Sequence, residues 1–151
     1  GIHDRQEGLR TVHELVEEHA GKLDTVYAGW DLCRANQLVG MMYLVKMITR
    51  EEMDQEFART GKVIQQRFSS WEEMAESYLE GYEAWRRRCG DPDAAGSAAR
   101  RRYIFRQLKE NPDGPYAVPF GTDLTGMTYG GGKAARDVVK RVLRNYRGPC
   151  Q

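Results

Sequence analysis

The chain has 151 residues, 40% of them hydrophobic and 30% charged, a balance typical of a globular domain with its own core and one that excludes disorder. No apolar run approaches the roughly 20 residues that cross a bilayer, which excludes a membrane-spanning helix and points to a water-soluble domain. The net charge of +1 conceals a polarity. Residues 1–85 hold 9 Lys or Arg against 16 Asp or Glu, a formal −7, and residues 86–151 hold 14 against 6, a formal +8.

An amphipathic helix is predicted from about Glu7 to Ala20, with Leu9, Val12, Val16 and Leu23 near the helical period and Gly21 as a stop. A second starts at Asp24 or Thr25, either of which can cap it, and runs to about Met47. Its apolar residues (Val26, Tyr27, Trp30, Leu32, Leu38, Val39, Met42, Tyr43 and Leu44) fall on nearly every face, which predicts a central helix surrounded by others. Thr49-Arg50-Glu51-Glu52 has capping-box spacing and opens a helix with Met53, Phe57, Ile64 and Phe68 on one stripe. Ser70-Trp71-Glu72-Glu73 repeats that start signal, and its helix turns Trp71, Met74, Tyr78, Tyr82 and Trp85 inward.

Cys89-Gly90-Asp91-Pro92-Asp93 interrupts the pattern, and a basic helix follows from about Ala94 to Glu110. Asn111-Pro112-Asp113-Gly114-Pro115 is turn chemistry. From there to Gly132 the chain is irregular, either mobile or draped over the helices, before a last basic helix from Lys133 to about Tyr146. The fold class expected is all-α: a single domain over 1–151, an irregular bundle of five or six helices around a central apolar one. A long Gly/Pro-rich loop precedes the last helix.

The stretches Gly29-Trp30-Asp31-Leu32-Cys33-Arg34-Ala35, Phe68-Ser69-Ser70-Trp71-Glu72-Glu73 and Ser77-Tyr78-Leu79-Glu80-Gly81-Tyr82-Glu83-Ala84-Trp85 resemble a bacterial family catalogued as domain of unknown function 1266. Ile48-Thr49-Arg50-Glu51-Glu52 and the Asn111–Pro115 turn follow the same order and spacing. The resemblance covers roughly Trp30 to Leu124. Cys33 stands where the family pattern has glycine, and the segment after Leu124, the loop and basic helix of 125–147, falls outside it. The resemblance implies a bacterial helical domain and supplies no catalytic residues.

Within the central helix Asp31, Arg34, Asn36 and Gln37 interrupt the apolar pattern, and buried polar groups are costly unless paired. Asp31 and Arg34 lie one turn apart and can meet, and Arg34 can reach Ser77 or Tyr78 on a neighbouring helix. One reading is a polar network that sets helix register. The other is a pocket in which Arg34 holds an anion and Asp31 orients it, walled by Trp30, Tyr78, Tyr82 and Trp85.

His13 and His19 lie six apart rather than four, off one helical face, which argues against a zinc site and for surface or rim positions. Gly130-Gly131-Gly132-Lys133 lacks the first glycine and the Ser or Thr of a phosphate loop. What remains is a connector ahead of a helix N-terminus that can accept an anion. The three cysteines have no metal-like spacing and are read as reduced thiols of a cytoplasmic protein. The chain opens on Gly1 rather than methionine, so an upstream signal or domain stays open.

No catalytic set, metal or cofactor is expected, and the reading leans away from an enzyme. The favoured function is a domain that binds a protein partner through its charge-polarised surface, with Arg100, Arg101, Arg102, Lys133, Arg136 and Lys140 as partner- or anion-binding residues. The alternatives are the pocket of Asp31, Arg34, Ser77, Tyr78, Tyr82 and Trp85, and a weak nucleic-acid contact through the arginine clusters. The near-neutral net charge and the lack of a nucleic-acid-binding motif count against the last. Oligomeric state stays open.

Overall fold

The computed structural model describes residues 2–21 and 25–126, and among these the chain is all-helical. Five helices follow in order: α1 (Arg5–Ala20), α2 (Ala28–Leu44), α3 (Arg50–Arg67), α4 (Trp71–Arg88) and α5 (Ala94–Glu110), then a short 3-10 turn at Pro115–Ala117. The expected helix from Lys133 to Tyr146, the Gly130–Lys133 connector and the Asp24 cap lie outside the described residues. None of the described helices is long and apolar enough to cross a membrane.

The start signals work through side-chain oxygens that occupy free backbone N–H groups. Asp4 accepts from the Glu7 N–H at 2.9 Å and starts α1 two residues before Glu7. Thr49 and Glu52 form the full capping box at α3. At α4, Ser70 accepts from the Glu73 N–H, but the Glu73 carboxylate reaches past it to the N–H and hydroxyl of Ser69. The reciprocal half of that cap is therefore displaced by one serine. Thr25 does not cap α2 directly. Its hydroxyl accepts from the Tyr27 N–H in a turn that delays the helix to Ala28.

Helix α2 packs against α1, α3 and α4, and α5 lies on the far side of α4. Val12 and Val16 from α1, Leu32, Ala35, Val39 and Met42 from α2, and Met53 and Ile64 from α3 close the core with Phe68 and Met74. Central position does not mean enclosure on all sides. Met41 is 54% exposed and Leu44 77%, so one flank of α2 faces solvent. The apolar residues there exceed what three neighbouring helices can cover. On α4 the buried arc is Met74, Ala75, Leu79, Gly81 and Tyr82, with Trp71, Tyr78 and Trp85 only half-buried. That arc is wide because α4 is sandwiched between α2 and α5.

Residues 116–122, after α5, are draped over α3 and α4. The Gln65 side-chain amide donates to the carbonyls of Phe120 and Thr122, at 3.0 and 2.8 Å, and the Trp71 indole N–H donates to the Val118 carbonyl at 2.7 Å. Tyr116 and Phe120 meet the Trp71 ring edge-on.

The α2–α4 contact is made at two glycines. A Cβ on Gly29 would stand 2.5 Å from the Tyr78 backbone nitrogen, and one on Gly81 would stand 2.6 Å from Trp30 Cβ and 2.9 Å from the Val26 carbonyl oxygen. Backbone leans on backbone, and the Gly29 N–H donates to Ser77 Oγ at 3.0 Å across the crossing. Gly40, also on α2, has nothing within 4 Å of its would-be Cβ.

Opposite stability effects are expected at these positions. Gly29→Ala and Gly81→Ala should lower stability by about 1–3 kcal/mol, because overpacking against backbone outweighs a helix-propensity gain of up to about 1 kcal/mol. Gly40→Ala should raise it by about 0.5–1 kcal/mol. Urea unfolding of the three variants checks this, and a gain at all three would refute the close crossing.

Candidate functional site

The glycine crossing sets Trp30 of α2 directly among the aromatic residues of α4. Its ring lies 5.4 Å, centroid to centroid, from each of Tyr78, Tyr82 and Trp85, roughly stacked on Trp85 at 28°. Tyr78 and Tyr82, one helical turn apart, are nearly parallel. Tilted and offset ring pairs of this kind are favoured by the ring quadrupoles.

Guanidinium groups sit on these rings. Arg34 lies over Trp30 at 5.7 Å, Arg86 over Tyr82 at 5.9 Å, and Arg101 over the same Tyr82 ring at 4.0 Å. Arg101 also donates to the Tyr78 hydroxyl. Together with Cys33 and Gln37 these residues line a cavity of about 440 Å³, within the size range of small-molecule sites. Arg34 and Arg101 are exposed, so solvent reaches the cavity.

Four of the seven arginines of α4 and α5 are held by carboxylates. Arg86 is paired with Asp91, Arg87 with Glu83, Arg100 with Asp93 at 2.9 Å, and Arg102 with Glu76. The Arg102 bond holds the Glu76 carboxyl below its usual range, and the Asp91 carboxyl is lowered by the Asp93 N–H and by Arg86. Arg34 and Arg101 have no carboxylate partner among the described residues. Both line the cavity.

Asp31 points elsewhere. Its carboxylate meets the Nε2 of His19 at 3.1 Å, tying α1 to α2 instead of pairing with Arg34. The His19 side chain is fully buried, a correction to the surface or rim position expected for it, and the nearby carboxylate is what makes that burial tolerable. Its Nδ1 has no partner among the described residues, and neither has the buried Oδ1 of Asn36. His13 pairs with Glu56 at 2.9 Å on the rim between α1 and α3.

Of the residues expected at a pocket, Arg34, Tyr78, Tyr82 and Trp85 line one cavity with Trp30, while Ser77 is engaged by Gly29 and Asp31 by His19. Of the expected anion- or partner-binding residues, Arg101 joins that cavity, and Arg100 and Arg102 are held by Asp93 and Glu76. Lys133, Arg136 and Lys140 lie outside the described residues. Sequence reasoning did not bring Cys33, Arg86 or Arg101 into the aromatic pocket. Cys33 lies one turn before Gln37 on the flank that carries Arg34, and that spacing was the available signal for it. Nothing short of the α4–α5 packing places Arg101 there.

The sequence pattern of the family described as protein of unknown function (DUF1266) matches residues 5–120, a span that begins earlier than the stretches quoted above. No curated protein and no solved structure matches the chain.

The two polar residues of α2 should separate on mutation. Asp31→Ala leaves a buried imidazole without its acceptor and should cost about 1–3 kcal/mol of stability. Arg34→Ala removes an exposed side chain and should stay within about 0.5 kcal/mol. Thermal and urea unfolding decide it; equal losses would mean that Arg34 is structural too.

Proposed function

We propose, for a chain that belongs to the DUF1266 family of proteins of unknown function, that it is a ligand-binding domain. It takes the anionic end of a small organic molecule between Arg34 and Arg101, against the rings of Trp30, Tyr78, Tyr82 and Trp85. The observation that carries this is the sorting of the arginines. Of the three arginines that line one aromatic-walled cavity, Arg86 is neutralised by Asp91, whereas Arg34 and Arg101 have no such partner among the described residues.

The energetics agree in sign. Two like charges near one cavity repel, and ring quadrupoles offset part of that, about 0.5–1 kcal/mol for each exposed contact. A carboxylate would complete the site with charge-assisted hydrogen bonds, each about twice as strong as a neutral one. Gln37 adds amide donors at the edge. The role is binding alone, with no nucleophile or general base assigned.

The charge polarity of the chain supports a second reading, a protein partner for Arg100, Arg101 and Arg102. Two of these three are engaged by Asp93 and Glu76, and the third faces the Tyr78 and Tyr82 rings. Intramolecular pairing thus leaves little of the charge of these three arginines for a protein or nucleic-acid partner.

Benzoate serves as the probe, followed by titration calorimetry and by tryptophan fluorescence in a Trp71→Phe background, which leaves Trp30 and Trp85 as reporters. Saturable binding is expected, weakening as salt rises and falling at least about tenfold in the Arg34→Ala/Arg101→Met double variant. No saturable signal, or the same affinity in the double variant, would reject the proposal.

A further inference from the structure

We infer that the ligand of this site is an amphipathic carboxylate, whose head lies at Arg34 and Arg101 and whose apolar chain occupies an adjoining second cavity. The inference rests on the anion-binding reading above and adds the ligand's other end.

The second cavity, about 460 Å³, lies between α4 and α5 under the turn at Tyr116. Met74, Leu79, Ile104, Phe105, Leu108 and Tyr116 supply its walls. Cys33, Tyr78 and Arg101 line both cavities, so the hydrogen-bonded Tyr78–Arg101 pair stands where they meet. One face of that junction is cationic and aromatic, the other apolar.

The walls of the second cavity are mainly apolar. Burial pushes the Cys33 thiol up to about 11 and raises the Tyr116 and Tyr78 hydroxyls above their ordinary range. The Cys33 thiol donates a weak hydrogen bond to the Met74 sulfur at 3.8 Å, a soft apolar neighbour. Ile104, Phe105 and Leu108 are only half-buried, because α5 packs on α4 and leaves this groove beneath its second half.

Each simpler ligand leaves part of the structure unsatisfied. A small anion would pair the arginines and leave the apolar cavity unfilled. A wholly apolar molecule would fill the cavity and leave the Arg101 guanidinium beside it without a counter-charge. A carboxylate with an alkyl chain satisfies both at once, head at the arginines and chain along Ile104 and Leu108. Apolar burial then sets the affinity, and the head sets the orientation.

The test is a series of straight-chain acids, butanoate, hexanoate and octanoate, titrated into the intact protein by calorimetry. The dissociation constant should fall by about fourfold for each added methylene. Ile104→Trp, which fills the second cavity, should flatten the series, removing the gain of octanoate over butanoate. Leu108→Trp serves the same purpose should the first variant fail to give the wild-type helical circular dichroism. Arg34→Ala/Arg101→Met should weaken all three acids by a common factor. Affinities that depend on the arginines but not on chain length would overturn the chain's placement and leave the anion site standing. A chain-length dependence indifferent to the arginines would overturn the anion site and this inference with it, as would the absence of binding by all three acids.

Discussion

Two glycines in register decide what the rest of this molecule can be. Gly29 lets the backbone of α4 come within van der Waals reach of α2, and Gly81 returns the contact from the other helix. Only at that separation can the Trp30 ring enter the row of Tyr78, Tyr82 and Trp85. A wider crossing would place Trp30 outside the row and leave Arg34, which rides on Trp30, without the wall that makes it part of a cavity. The Gly29 N–H to Ser77 Oγ bond adds direction to a contact that shape alone would let slide.

Charge is distributed around that crossing with a clear division of labour. The acidic face of α4 and the basic face of α5 neutralise each other through Glu76–Arg102 and Glu72–Lys109, and the turn between them does the same through Arg86–Asp91 and Arg100–Asp93. Exposed pairs of this kind contribute little stability each. Their larger effect is subtraction: of the three arginines that line the aromatic cavity, Arg86 is engaged by Asp91, and Arg34 and Arg101 are left without a carboxylate among the described residues. On the opposite flank His19–Asp31 joins α1 to α2 and removes from the cavity the one carboxylate of α2.

Much of the helical frame was legible in the residues. Thr49 and Ser70 announced α3 and α4 because a cap is a local event, a side chain reaching three residues along its own chain. The aromatic wall was legible too, since Tyr78, Tyr82 and Trp85 recur at helical spacing next to a tryptophan on a helix bound to touch them. The imidazole partner of the Asp31 carboxylate was not, because His19 lies twelve residues away on another helix and nothing local favours it over Arg34. The same holds for Arg101: three consecutive arginines look alike in sequence, and only the angle at which α5 lies on α4 sends Arg100 to Asp93, Arg102 to Glu76 and Arg101 to the rings. The glycines of the crossing were visible as letters, but the need for them arises from a partner backbone that no local pattern encodes. Overestimating how far α2 is enclosed had a related cause: an apolar residue such as Leu44 signals burial only where another helix arrives to cover it.

The central claim is that the crossing of α2 and α4 builds a cavity that takes an anion at Arg34 and Arg101. A crystal structure of the protein grown with octanoate examines it most directly. The account predicts carboxylate density within hydrogen-bond distance of both guanidinium groups, with the alkyl chain running toward Phe105 and Leu108. Density elsewhere on the surface, or a cavity left empty at saturating octanoate, would contradict it.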